Sequence, residues 1–205
     1  MARLEQQITF VRELDKLKRV QRQTWLTDTS RQENSAEHSW HIAVMALVLA
    51  EYAPGDDLDI GRVIQMLLLH DIVEIDAGDT FCYDRAAVAQ QTDHEERAAD
   101  RLFGLLPPDL ADRFRNLWEE FEARETRESL LANSLDRLQP ILNNYHSGGK
   151  SWRAHGITRA QVRARNTEAG AEVSFKFRDG VPAYRVRLRK GSVEFLISSP
   201  KQKGD

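Results

Sequence analysis

Apolar residues recur at helical spacing over most of this chain. Leu4, Ile8, Val11, Leu14 and Leu17 alternate with charged residues, which predicts an opening amphipathic helix ended by the basic stretch 18–22. Asn34-Ser35 offers a short side-chain oxygen to the free N–H groups of a first turn, so a second helix is expected from there to about Tyr52, stopped by Pro54-Gly55. Asp57 or Asp59 can cap a third, which carries Ile60, Val63, Ile64, Leu67 and Leu68 inward and is broken by Gly78. Helical spacing returns from about residue 86 to 105, and again after Pro107-Pro108 through Leu110, Phe114, Leu117, Trp118 and Phe121. A last helix spans about 126 to 145, with Leu130, Leu131, Leu135, Leu138 and Leu142. Pro140 lies inside it, and its ring meets the carbonyl of Asp136, so a kink or loosening is expected there.

From Ala171 the period changes to two. Val173, Phe175 and Phe177 alternate with polar residues, Asp179-Gly180 signals a turn, and Tyr184, Val186 and Leu188 alternate again before Val193, Phe195 and Ile197. The fold class expected is an all-α helical bundle over 1–168, followed over 169–205 by a divergent tail that forms a short β-hairpin.

Composition narrows the function classes. With 205 residues, 41% hydrophobic and 30% charged, the chain can build one domain with a substantial core. A net charge of −3 gives no basic excess to point to a nucleic-acid polymer. Cys82 is the only cysteine, which excludes an internal disulfide framework and a multi-cysteine zinc site. The first residues lack a signal-peptide pattern, and the apolar run 66–69 is too short to span a bilayer, so a cytoplasmic protein without a membrane partner is expected.

The chemistry gathers around His70-Asp71, which ends the apolar run Gln65-Met66-Leu67-Leu68-Leu69. A buried carboxylate is costly unless it is paired or bound to a cation. His38 shares a helix face with Ile42, Met45 and Leu49, so its imidazole points inward and can meet another helix. Asp136 can supply a fourth ligand. Two histidines and two aspartates from three helices leave room for water on an octahedral metal, as metal-assisted hydrolysis requires. Glu74 follows His70 by four residues and can take a proton from water there, while Asp76 and Asp79 add acidity that a second cation or a substrate hydroxyl would relieve. His41 reads as a supporting or surface residue, and His94, His146 and His155 lie in polar surroundings.

His38, His70-Asp71 and Asp136 together resemble the pattern of the HD-domain metallophosphohydrolase superfamily. The residues 17–25 (Leu-Lys-Arg-Val-Gln-Arg-Gln-Thr-Trp), 33–39 (Glu-Asn-Ser-Ala-Glu-His-Ser) and 70–79 (His-Asp-Ile-Val-Glu-Ile-Asp-Ala-Gly-Asp), with Leu-Asp-Arg-Leu at 135–138, resemble its 5'-deoxynucleotidase branch, in particular the members like HD-domain-containing protein 2. The resemblance implies an HD-domain helical fold, a divalent metal such as Mn, Co or Mg, and hydrolysis of deoxynucleoside 5'-monophosphates, in a homodimer. It implies His38, His70, Asp71 and Asp136 as metal ligands and Glu74 as the residue that activates water. Asp79 is then catalytic or bound to the sugar 3'-hydroxyl, or else shares a second metal with Glu74 and Thr80. Arg22 would bind phosphate, and Trp25 would close against the sugar and exclude a 2'-hydroxyl. The alternatives are a phosphohydrolase of other small phosphate esters and a non-catalytic nucleotide-binding module.

Overall fold

Capping side chains set the starts of four helices in the computed structural model, which describes residues 2–53, 57–168, 171–178, 181–188 and 194–198. After α1 (Arg3–Leu14) and a 3-10 turn (Asp15–Arg19), the chain forms an antiparallel hairpin of β1 (Gln21–Trp25) and β2 (Gln32–Asn34), with Gln21 opposite Asn34 and Trp25 opposite Gln32. Asn34 then starts α2 (Ser35–Leu49): its side chain accepts from the Glu37 N–H at 3.0 Å, and the Glu37 carboxylate accepts from the Asn34 N–H at 2.8 Å. That reciprocal box satisfies two donors the first turn leaves free. Asp59 caps α3 (Ile60–Leu69) through the Arg62 N–H at 2.9 Å.

A 3-10 turn (His70–Val73) and the short α4 (Glu74–Ala77) follow directly, and Gly78, at φ +77°, ends them in a conformation that costs a side-chain-bearing residue more. Then come α5 (Arg85–Phe103), capped by Asp84, α6 (Pro108–Ala123), which begins on a proline whose missing N–H costs nothing there, and α7 (Arg127–His146), capped by Thr126. Two short helices, α8 (Lys150–Ala154) and α9 (Arg159–Glu168), complete the helical part. β3 (Ala171–Arg178), β4 (Val181–Leu188) and β5 (Glu194–Ser198) form an antiparallel sheet in that order, with Ala171 opposite Leu188 and Arg187 opposite Glu194.

The core lies among α2, α3, α5, α6 and α7. Ile42, Val63, Met66, Leu67, Ala99, Leu102 and Ala132 are fully enclosed there. Among the described residues, no helix is long and apolar enough to cross a membrane.

Several expectations change. Of the expected stripe, Leu4, Ile8 and Val11 face outward while Leu14 and Leu17 pack inward, joined by Phe10 in an i, i+4, i+7 set. Phe10 wins because its ring meets Phe114 edge-on at 5.8 Å, and an aromatic ring buries more area than any single aliphatic alternative. His70 and Asp71 sit in the 3-10 turn after α3, not on α3 itself. The β1–β2 hairpin, α8 and α9 were not foreshadowed by hydrophobic period, since each is short. Pro54-Gly55, Asp179-Gly180 and Val193 lie outside the described residues.

Candidate metal centre and substrate cleft

Three segments bring the four expected ligands together. Ligand atoms of His38, His70 and Asp71 all lie within 4.8 Å of one another, and each of these residues is buried. Asp136 Oδ1 joins them from α7, 2.9 Å from His38 Nε2 and 3.7 Å from His70 Nε2. Both imidazoles are oriented by their other nitrogen: His38 Nδ1 lies 3.1 Å from Gln139 Oε1, and His70 Nδ1 lies 2.9 Å from the Leu67 carbonyl oxygen. Donation of Nδ1–H to those oxygens leaves the Nε2 lone pairs aimed at a common point, as metal-ligating histidines require. His70 Nε2 is fully buried and faces carboxylate oxygens, with Asp71 Oδ1 at 2.9 Å and Asp136 Oδ1 at 3.7 Å, a crowding of acceptor atoms that a shared cation would satisfy.

The electrostatics fit the same reading. Burial alone would push His70 down, but Asp71 and Asp136 outweigh it and hold the imidazole well above its ordinary value. Burial likewise pushes Asp136 up, but hydrogen bonds from His38 and His70 and their charge keep it well below the usual carboxylate range. A cation binding here therefore displaces protons and takes over their charge.

Glu74 and Asp79 stand beside this cluster, and Arg22 ties them to it. Arg22 Nη1 donates to Asp71 Oδ2 at 2.8 Å and lies 3.7 Å from Asp79 Oδ1 and 3.9 Å from Glu74 Oε1. Glu74 Oε2 accepts from the buried Ser35 hydroxyl at 2.6 Å. Burial and the nearby Asp71 charge push Glu74 well above the carboxylate range despite Arg22, and burial also raises Asp79. A carboxyl shifted upward in this way is a stronger base near neutral pH than an exposed one.

Sequence reading missed Glu33, which holds the arrangement from behind. It lies on β2 beside Arg22 of β1 and is almost fully enclosed; Gln139 Nε2 donates to its Oε1, and its Oε2 is 3.5 Å from His38 Nδ1 and 3.9 Å from Arg22 Nε. The signal was there, since Glu33 directly precedes the N-cap of the His38 helix. His41 contributes at one remove, its Nδ1 lying 3.3 Å from Gln139 Nε2. Asp76 turns away and pairs with Arg101 at the surface.

Arg22, Asp79, Thr80 and Asp136 open into one cleft of about 690 Å³, including its mouth. Gln23, Thr24, Phe81, Cys82 and Tyr83 continue the lining, with Arg137, Ile141, Asn144, Trp152 and Arg165 across from them. Trp25 is not part of that lining. Its ring instead carries Lys150 Nζ at 3.3 Å from the centroid, a cation–π contact. Thr80 Oγ1 donates to Gln91 at the cleft edge.

Comparison with known proteins bears on all of this. The HD domain family model matches residues 14–175. Human 5'-deoxynucleotidase HDDC2 is 32% identical over 136 residues, 66% of this chain and 65% of that protein, so the chain matches slightly under two thirds of that relative's length. A 5'-deoxynucleotidase of Klebsiella pneumoniae is 26% identical over 190 residues, 87% of this chain and 93% of its own. A crystal structure of a predicted metal-dependent phosphohydrolase from Magnetospirillum magnetotacticum MS-1 superposes with a TM-score of 0.77 at 56% identity, over 82% of this chain and 83% of that one. The chain belongs to the HD domain family.

Proposed function

We propose that this protein is a metal-dependent phosphomonoesterase that hydrolyses deoxynucleoside 5'-monophosphates to deoxynucleoside and inorganic phosphate. The observation that carries the proposal is the convergence of His38, His70, Asp71 and Glu74 directly behind Arg22 and Asp136, which line the cleft. The names of the human and Klebsiella relatives supply the substrate class. His38, His70, Asp71 and Asp136 would hold the metal; their nitrogen and oxygen donors suit Mn, Co or Mg. A divalent cation there supplies positive charge against the phosphoryl oxygens and acidifies the attacking water. Glu74 takes the proton of that water, with Ser35 fixing the orientation of its carboxylate. Arg22 offsets charge on the phosphoryl oxygens through paired N–H donors. Asp79 orients the sugar 3'-hydroxyl, or with Glu74 and Thr80 holds a second cation.

We assign the catalytic unit to residues 1–168 and treat 169–205 as an appendage to it. A homodimer through the outer face of α2 is supported by Trp40, Val44, Leu47 and Val48, a run of exposed apolar side chains at i, i+4, i+7 and i+8. The single cysteine fits a cytoplasmic setting.

The test is a phosphate-release screen over ribo- and deoxynucleoside 5'-monophosphates, with Mg, Mn, Co or Zn added back separately to metal-stripped protein. Metal-dependent release favouring deoxynucleotides is expected. No release in any combination overturns the proposal.

A further inference from the structure

A phosphate seated beside Arg22 and Asp136 must extend its organic group into the rest of the same cleft, and that remainder carries the rings of Phe81, Tyr83 and Trp152. Phe81 and Tyr83 come from the loop between α4 and α5, with ring centroids 5.3 Å apart and edge-on. Trp152 comes from α8 and lines the same cleft beside the Tyr83 hydroxyl, so the two segments together form one wall. Phe81 packs on His155 at 4.5 Å, and His155 Nε2 lies 3.0 Å from Gln23 Oε1, which braces the wall against β1. Flat π-faces beside a phosphate site suit a nucleobase, because every base has a face to stack.

The wall depends on α8, a helix of five residues. Two left-handed glycines, Gly148 at φ +64° and Gly149 at φ +73°, turn the chain into it, and the Trp152 N–H donates to Asn144 Oδ1 at 3.4 Å. Its other tether is Lys150, whose ammonium donates to the Thr29 carbonyl at 3.1 Å and sits on the Trp25 ring at 3.3 Å. Trp25 is therefore linked to Trp152 through Lys150, while remaining outside the cleft lining itself.

We propose that Trp152, with Tyr83 and Phe81, receives the nucleoside of the substrate, and that Trp25 is a positioning residue that holds this wall through Lys150. The inference rests on the reading of the cleft as a nucleotide site.

The test measures kcat and KM for several deoxynucleotides, with inorganic phosphate and free deoxynucleosides as inhibitors. Trp152→Ala is expected to raise KM about tenfold for every base and to weaken deoxynucleoside inhibition equally, with kcat and phosphate inhibition within about twofold of the parent. Trp152→Phe should restore most of the affinity. Lys150→Met and Trp25→Leu should each raise KM about threefold without changing the ratio of ribo- to deoxynucleotide rates, and Trp25→Phe should behave as the parent. An unchanged KM in Trp152→Ala, or equal weakening of phosphate and deoxynucleoside, overturns the wall. A changed ribo-to-deoxy ratio in Trp25→Leu puts Trp25 on the sugar and overturns its positioning role. Should the parent hydrolyse no nucleotide, equilibrium dialysis of deoxythymidine and deoxyadenosine against the parent and Trp152→Ala still tests the wall by itself: tighter binding to the parent supports it, and equal or absent binding overturns it.

Discussion

The two ends of the cleft are built on opposite principles. Behind the inner end, His38, His70 and Asp71 are almost wholly enclosed and Asp136 half-buried, and each charge is matched within 4 Å by another from a different segment. At the outer end, Phe81, Tyr83 and Trp152 are half-exposed and sit on a loop and a five-residue helix, braced by a few contacts. Buried charge needs fixed partners, because each unpaired ion costs several kcal/mol, whereas a stacking surface tolerates displacement. The inner end should therefore respond to substitution by losing chemistry or fold, and the outer end by losing affinity.

The largest contrast is expected from the ligands. Asp136→Asn removes a charged donor from the proposed metal set and should lower both metal affinity and kcat by about 100-fold, by analogy with the loss on disturbing metal-site partners. Isothermal titration with Mn alongside phosphate release checks it, and retained metal binding would remove Asp136 from the set. Glu74→Ala should leave metal binding intact and reduce kcat by about 10²–10⁴-fold, as loss of a general base does. If kcat survives, the proton leaves by another route.

The pH dependence of stability separates the two ends without any substrate. His38 and His70 are both raised by their carboxylate partners, so the stability those pairs contribute is complete below the ordinary histidine range and is lost as pH climbs through the raised values. Glu74, also raised, acts in the same direction. Metal-stripped protein should therefore melt at a falling temperature between about pH 6 and about pH 8.5, whereas added Mn should reverse the trend, because the ligands bind it deprotonated. Melting curves at both pH values decide this, and a flat profile in stripped protein would show that the cluster contributes no linked stability. The smallest effect concerns the surface away from both ends. Leu47→Glu on α2 should leave kcat within about twofold while shifting a dimer to monomer by light scattering, since a charge on an apolar contact is poorly tolerated. A parent that is already monomeric would exclude the α2 interface.

The two ends also differ in how far they could be read from residues. The inner end was legible because its chemistry is local: His70, Asp71, Glu74 and Asp79 fall within ten consecutive positions, and His38 follows a helix cap. The helices themselves were legible where caps and apolar period agreed, as at Asn34, Asp59 and Thr126. α1 shows the limit, for its sequence carries two apolar stripes, and only the presence of Phe114 selects the one through Phe10. Trp25 shows another, since nothing near it in sequence announces Lys150, 125 positions later, whose ammonium sits on its ring. Glu33 and Gln139, hydrogen-bonded behind His38, lie 106 positions apart, and no period links them.

The sequence by itself determined the helical class, most of the helix starts, and the identity of the groups able to hold a metal. These follow from spacing and side-chain chemistry, which act over a few residues. Tertiary structure alone decided which stripe of α1 is buried, which tryptophan faces the cleft, and which carboxylates face one another around Arg22. Those outcomes depend on pairings between distant segments, where burial and desolvation are settled by what arrives from elsewhere in the chain.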